Sequence, residues 1–191
     1  GNYEQYSLGF SDGTTNYSAG KKLYLVHIGQ SGINNRLLQS SDSDVITDTN
    51  WHHYTAVVDF GTSIILYVDG VVIASTEQYV LGGESGTWET TDNNAPLRIG
   101  NNNGSNYMAG QIRDARIYDY SHSADQVASL YAGSYNVTPL HWWKLDEGSG
   151  ATASIEDYGT GTAADGTGVS LSWTNGTLDL DSDLTIEANG T

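Results

Sequence analysis

Residues Asn50 to Ser75 read NWHHYTAVVDFGTSIILYVDGVVIAS, with β-branched and aromatic residues crowded on either side of one Asp-Gly pair. Val, Ile, Tyr and Thr fit a pleated, half-buried surface, so Trp51 to Phe60, Ser63 to Asp69 and Val71 to Ala74 read as three strands. Asp69-Gly70 supplies the two positive-φ positions that a two-residue type I′ turn needs, which makes the last two strands a hairpin. Ile64, Leu66 and Val68 give the middle strand one apolar face; Ile65 and Tyr67 make the other face apolar too. A strand apolar on both faces lies inside a sandwich or beneath a covering layer.

Outward from this hairpin, Lys22 to Ile28, Asn35 to Gln39, Leu97 to Gly100 and Gln111 to Tyr118 have the same character. Turn-rich spacers (SDGTTNYSAG, GGESGTWETTDNNAP, NNNGSN) separate them. Many short strands with Gly and Asn turns imply an all-β fold, an antiparallel jelly-roll β-sandwich. One short helix interrupts it. Ser123 and Gln126 stand at capping-box spacing, Val127, Leu130 and Tyr131 form an apolar stripe, and Gly133 is placed to stop it. The helix is expected to plug one end of the sandwich.

Composition narrows the function. The 191 residues carry 23 acidic against seven basic side chains, a net charge of −16. Nucleic acid is excluded as a partner, because phosphate binding needs a basic patch. Apolar residues make up 38% of the chain, enough for a packed core, yet no run approaches the length of a membrane span. There is no Cys, so the redox compartment leaves no mark. The start at Gly1 reads as a processed or excised piece.

Five ordered motifs over residues 1–133 resemble the laminin-G-like, concanavalin A-like lectin/glucanase jelly-roll superfamily, in its bacterial and viral module form. They are Trp51 with His53, the Asp69-Gly70 hairpin, Leu97 to Gly100, Gly110 to Tyr118, and the helix opening at Ser123 to Gln126. The segment LHWWKLDEGSGATA, after a linker at 134–139, is similar to the first strand of that family, which ordinarily begins a domain. Residues 1–133 therefore look like a sandwich lacking its usual first strands, followed at 140–191 by a domain's beginning. Two explanations compete. Residues 140–191 either begin a second module, or complete the first sandwich in the same or a neighbouring chain. Completion is favoured, because an open sandwich bares apolar surface and unpaired strand edges.

The resemblance implies binding. Glucanases on this sandwich carry Glu-x-Asp-x-(x)-Glu on one strand, and no such run is present. Asp179, Asp181 and Asp183 alternate along LDLDSD and read as a solvated edge. No Gly-x-Ser-x-Gly elbow occurs, and the adjacent His52 and His53 point to opposite strand faces. The resemblance makes His53 a structural residue, with a core hydrogen bond as its role. It also implies a structural Ca2+ between the first strand and the Asp of the closing strand. That Asp corresponds to Asp114, although Arg113 is inserted before it; Asp146 is a second metal candidate. For sugar, Trp88 stands in a polar loop suited to stacking on a pyranose. Tyr107, Asn101 and Asn103 share the same rim, while the alternative for Trp88 is folding back over a sandwich edge. Trp51, Trp142, Trp143 and Trp173 are assigned to packing.

The sequence thus points to an extracellular or virion-surface recognition and adhesion module, not an enzyme, binding glycan or a surface protein through rim loops and stiffened by calcium. The alternative is a structural subunit of a fibre, appendage or phage tail, a homo-oligomer or filament assembled by strand exchange between chains.

Overall fold

The computed structural model describes residues 6–10, 21–28, 36–79, 97–100, 108, 110–148, 154–169, 172–174, 177–179 and 183–186. The chain divides into two compact units that interleave along the sequence: Gly1–Asn93 with Tyr120–Asn136, and Asn94–Asp119 with Val137–Thr191.

In the first unit, β1 (Tyr6–Phe10), β2 (Leu23–Ile28), β3 (Arg36–Ser41), β4 (Tyr54–Asp59), β5 (Ser63–Val68), β6 (Val71–Val72) and β7 (Ser75–Tyr79) form two antiparallel sheets, ordered β1-β2-β3-β7 and β4-β5-β6. The turn between β5 and β6 has φ of 51° at Asp69 and 77° at Gly70, as a type I′ hairpin requires. Opposite residues of antiparallel strands share a face, so the register Ala56↔Leu66 and Val58↔Ile64 collects one apolar side. That side meets Leu23 and Leu25 of β2, and Leu23, Leu25, Ile64 and Leu66 form a buried core between the sheets. Such burial stabilises by about 1.5–3 kcal/mol per side chain.

The second face of β5 is closed by α1 (Ala124–Tyr131): Val127 packs with Val57 and Tyr67. The helix therefore lies over a sheet face, not at an end of the sandwich. It begins with the expected capping box, in which Ser123 and Gln126 exchange side-chain and backbone hydrogen bonds. Of its apolar stripe, Val127 is fully buried while Tyr131 stays exposed. Close approach explains Gly70 a second time, because a Cβ there would stand 3.0 Å from Tyr131 Cβ and 3.2 Å from Ala128 Cα.

The second unit contains β8 (Leu97–Ile99), β9 (Gln111–Ile112), β10 (Ala115–Ile117), β11 (His141–Trp143), β12 (Ser154–Ile155), β13 (Gly166–Val169), β14 (Ser172–Thr174), β15 (Thr177–Asp179) and β16 (Asp183–Ile186). They pair antiparallel as β12-β13-β16-β8, β14-β15-β9 and β10-β11. The last ladder lies within this chain, with Ala115↔Trp143, Arg116↔Trp142 and Ile117↔His141. Ile99, Trp143, Leu145 and Ile155 are the buried core, with Ile112, Ala115 and Trp173 packed against it.

Three local expectations change. Gln111 to Tyr118 is not one strand: Asp114 takes φ of 60°, separating β9 from β10, although its N–H still reaches the Lys144 carbonyl at 2.9 Å. The acidic run is not one strand either, since β15 ends at Asp179 and β16 starts at Asp183 in a different sheet. The third change is the addition of β1 (YSLGF) and β7 (STEQY), the two edge strands of their sheet; STEQY is too polar for its pattern to stand out.

Candidate functional site

Trp88, Tyr107, Asn101 and Asn103, the expected sugar-binding residues, lie outside the described residues, as does Asp181. Asp114 and Asp146, the expected metal ligands, are described. Both oxygens of Asp114 are engaged. Arg116 donates from Nε to Oδ1 at 2.7 Å and from Nη2 to Oδ2 at 2.9 Å, and the Trp142 indole N–H donates to Oδ1 at 2.6 Å. Asp114 as held does not fit a cation, because the ion would have to displace the guanidinium. Asp146 is exposed, and beside it both carboxylate oxygens of Glu147 are buried with no hydrogen-bond partner among the described residues. Carboxylates of this kind have the hard-oxygen chemistry calcium takes. The described residues hold no group of three or more His, Asp or Glu placed to ligate one metal ion.

Trp142 is not a core residue. It is half-buried, with the Arg116 guanidinium 4.7 Å and the Lys144 ammonium 5.0 Å from its ring centroid. Lys144 also stands 3.7 Å over the Tyr158 ring. These cation–π contacts follow from the β10-β11 register, which sets Arg116 directly opposite Trp142. Trp143, pointing the other way, is 2% exposed and belongs to the core as expected.

Behind this strand, Asp157 is an organising acceptor. Its side chain is 1% exposed. Oδ2 lies 2.6 Å from His141 Nδ1 and 3.2 Å from the Ala164 N–H; Oδ1 accepts the N–H groups of Trp142 at 2.8 Å and Gly159 at 2.9 Å. Burial raises the affinity of this carboxyl for a proton, but the His141 and backbone donors outweigh it and hold the group below its ordinary value.

The first unit holds a matching arrangement at the start of β4. Asp69 Oδ2 lies 2.8 Å from His52 Nδ1, and Oδ1 accepts the His53 N–H at 2.9 Å. The second ring nitrogen of His52 lies 3.0 Å from Asp48 Oδ1. A neutral imidazole donates from one nitrogen only, so two carboxylates are satisfied together only by the imidazolium. Hydrogen bonding to Asp69, then to Asp48, raises the His52 pKa accordingly. His53 faces away, half-buried, with Thr55 Oγ1 3.4 Å from its Nδ1 and the Tyr131 ring 6.2 Å distant. The contact is made from a half-buried position and not, as expected, in the core.

Between Asp48 and His52 along the chain stands Trp51, assigned to packing by sequence but 47% exposed. The missed signal is the run TDTNW: residues 47–51 are all exposed and almost all polar, so the strand begins only at Tyr54 and Trp51 stays on the approach to it.

A laminin G-type family model described as "Concanavalin A-like lectin/glucanases superfamily" matches residues 2–128. Searches of curated proteins and of solved structures return no match.

Proposed function

The chain belongs to the concanavalin A-like lectin/glucanase superfamily, and from that premise we propose that it is a recognition and adhesion module, not an enzyme, displayed outside the cell or on a virion surface. Domains of this family generally bind carbohydrate or protein. The observation that carries the reading is the family match across more than half of the chain. Its two facing antiparallel sheets in the first unit support a rigid scaffold that leaves contact to loops. No helix among the described residues is long and apolar enough to cross a membrane. The rim residues Trp88, Tyr107, Asn101 and Asn103 are the proposed contacts for glycan. A glycan array and an affinity capture with the purified chain test this: Trp88→Ala is expected to abolish glycan retention, and unaltered retention removes Trp88 from the site.

Calcium stays in the proposal through Asp146, with Glu147 beside it as a further oxygen donor. Chelation is expected to lower Tm and calcium to restore it. An unchanged Tm removes the ion.

The second reading is a fibre subunit built by strand exchange, as against a self-contained module in which β10 and β11 pair within one chain. Size-exclusion chromatography separates the two, with a monomer expected and polymers establishing the fibre.

A further inference from the structure

We infer that one proton on His52 operates a latch: its presence fastens the exposed bend at residues 48–50 to the Asp69-Gly70 hairpin turn, and its loss lets that bend go. Such a latch acts whichever ligand the module takes.

Three observations carry it. The first is the count of donors. His52 lies between two carboxylates, with Nδ1 2.8 Å from Asp69 Oδ2 and Nε2 3.0 Å from Asp48 Oδ1. An ionised carboxylate only accepts, and the imidazolium has two N–H groups, one for each acid. The neutral ring has one, so on losing the proton one carboxylate is left facing a nitrogen lone pair. Asp48 is the one released, because Asp69 is fixed independently. Asp69 Oδ1 accepts the His53 N–H at 2.9 Å, and the Asp69 N–H donates to the His53 carbonyl at 2.8 Å.

The second is where the chain is otherwise tied. Ahead of the bend, the Lys21 N–H donates to Asp44 Oδ1 at 3.0 Å and the Lys21 carbonyl accepts the Val45 N–H at 2.9 Å. After it comes the His53–Asp69 pair. Residues 47–50 in between are all exposed. Within the bend, Asp48 Oδ1 accepts the Asn50 N–H at 2.7 Å; beyond the bend, its carboxylate reaches His52 alone among the described residues.

The third is the charge around the ring. Once His52 is neutral, Asp48 and Asp69 stand on either side of it with no positive charge between them, and like charges repel. Tyr54 of β4 also faces His52, ring centroids 6.1 Å apart. Burial, then Asp69 and Asp48, hold the Tyr54 hydroxyl above its ordinary 10, so it stays neutral while His52 titrates. From α1, Tyr131 faces His53. Hydrogen bonding to Asp69 and then Asp48 raises the His52 pKa, so the latch is closed below 6.5 and opens as pH rises through the raised value.

The test is NMR on the whole chain, reading the His52 ring and the backbone order parameters together across the His52 titration. The order parameters at residues 48–50 are expected to fall from about 0.85 to below about 0.6 as pH rises, while those of His53 and Asp69 stay high. The fall is expected at the midpoint of His52 itself, and that midpoint above 6.5. In Asp48→Asn the side-chain amide donates to Nε2 of the neutral ring, so the bend is expected to stay ordered at high pH. In His52→Ala it is expected to be loose at every pH. A bend that stays ordered through the His52 midpoint overturns the latch, as does a midpoint at or below 6.5. Loosening with pH that survives in His52→Ala overturns it too. Where His52→Ala fails to fold, Asp48→Asn decides, and loosening there as in the wild type overturns the latch.

Discussion

Asp69 grips His52 through Nδ1 at 2.8 Å, and the same carboxylate takes the backbone N–H of the next residue at 2.9 Å. Asp157 holds His141 at 2.6 Å and the N–H of Trp142 at 2.8 Å in the same manner. In each unit one acid reaches across 15 to 17 residues and locks the entry to a strand. The His52 clamp has one further member, a second carboxylate, Asp48, which faces its other nitrogen.

That difference predicts a pH dependence. His52 has its pKa raised above the ordinary 6.5, so its contribution is fully present below 6.5 and is lost as pH rises through the raised folded value. Asp48, Asp69 and Asp157 are held below the ordinary 3.8, so theirs is present above 3.8 and lost as pH falls through the lowered values. The clamp is thus strongest between pH 3.8 and 6.5. His122 works the other way: burial lowers its pKa, and its contribution is lost as pH falls below 6.5. Subtracting the Tm profile of His52→Gln from that of the wild type cancels His122. The difference is expected to shrink as pH rises past 6.5; a flat difference refutes the clamp.

Asp157→Ala removes the acceptor for three backbone N–H groups and His141. Each buried donor left alone costs about 1–3 kcal/mol, so a loss of at least 3 kcal/mol or so is expected in urea unfolding. Asp157→Asn retains one acceptor oxygen and is expected to lose less. Equal losses would mean that the charge, not the hydrogen bonds, organises this segment.

Gly159 is required by close approach. A Cβ there would run into the Leu140 carbonyl oxygen and the Cα of His141, both backbone atoms that cannot rotate aside. Gly159→Ala is expected to destabilise by about 3 kcal/mol or more, by forcing the 159–161 turn away from Leu140. The hydrogen bond from Gly161 N–H to the Leu140 carbonyl, 2.9 Å, should then lose its protection from amide exchange.

Adjacent residues of β5 should respond in opposite degree. Leu66 is fully buried between the sheets, and Leu66→Ala is expected to lose about 2–5 kcal/mol. Ile65, 36% exposed on the opposite face, is expected to change stability by about 1 kcal/mol or less on truncation to Ala. Thermal or denaturant unfolding of the two variants measures the contrast, and comparable losses would mean that a further layer covers Ile65.

What could be read in advance was what local chemistry dictates. The Asp69-Gly70 turn, the capping box of Ser123 and Gln126, and the apolar alternation of β5 depend on neighbours along the chain, and their physics is complete within a few residues. Pairing was less legible. The break at Asp114 arises where a backbone N–H must meet Lys144, 30 residues away, and LDLDSD is divided by which sheets β15 and β16 join.

The candidate site shows the same division. The pattern of Trp51 beside His53 identified a strand and the family around it, but not whether the indole faced the core or water. That depended on Asp48 and Asp69 converging on His52 from either side and holding the chain ahead of β4 out in solvent. Likewise Trp142 and Trp143 are the same residue type in succession, and only the β10-β11 register placed one among cations and the other in the core. Sequence by itself determined the strand chemistry, the turns and the acidic charge, because these are properties of single residues and their neighbours. Tertiary structure decided which aromatic faces meet water, because exposure is set by partners far along the chain.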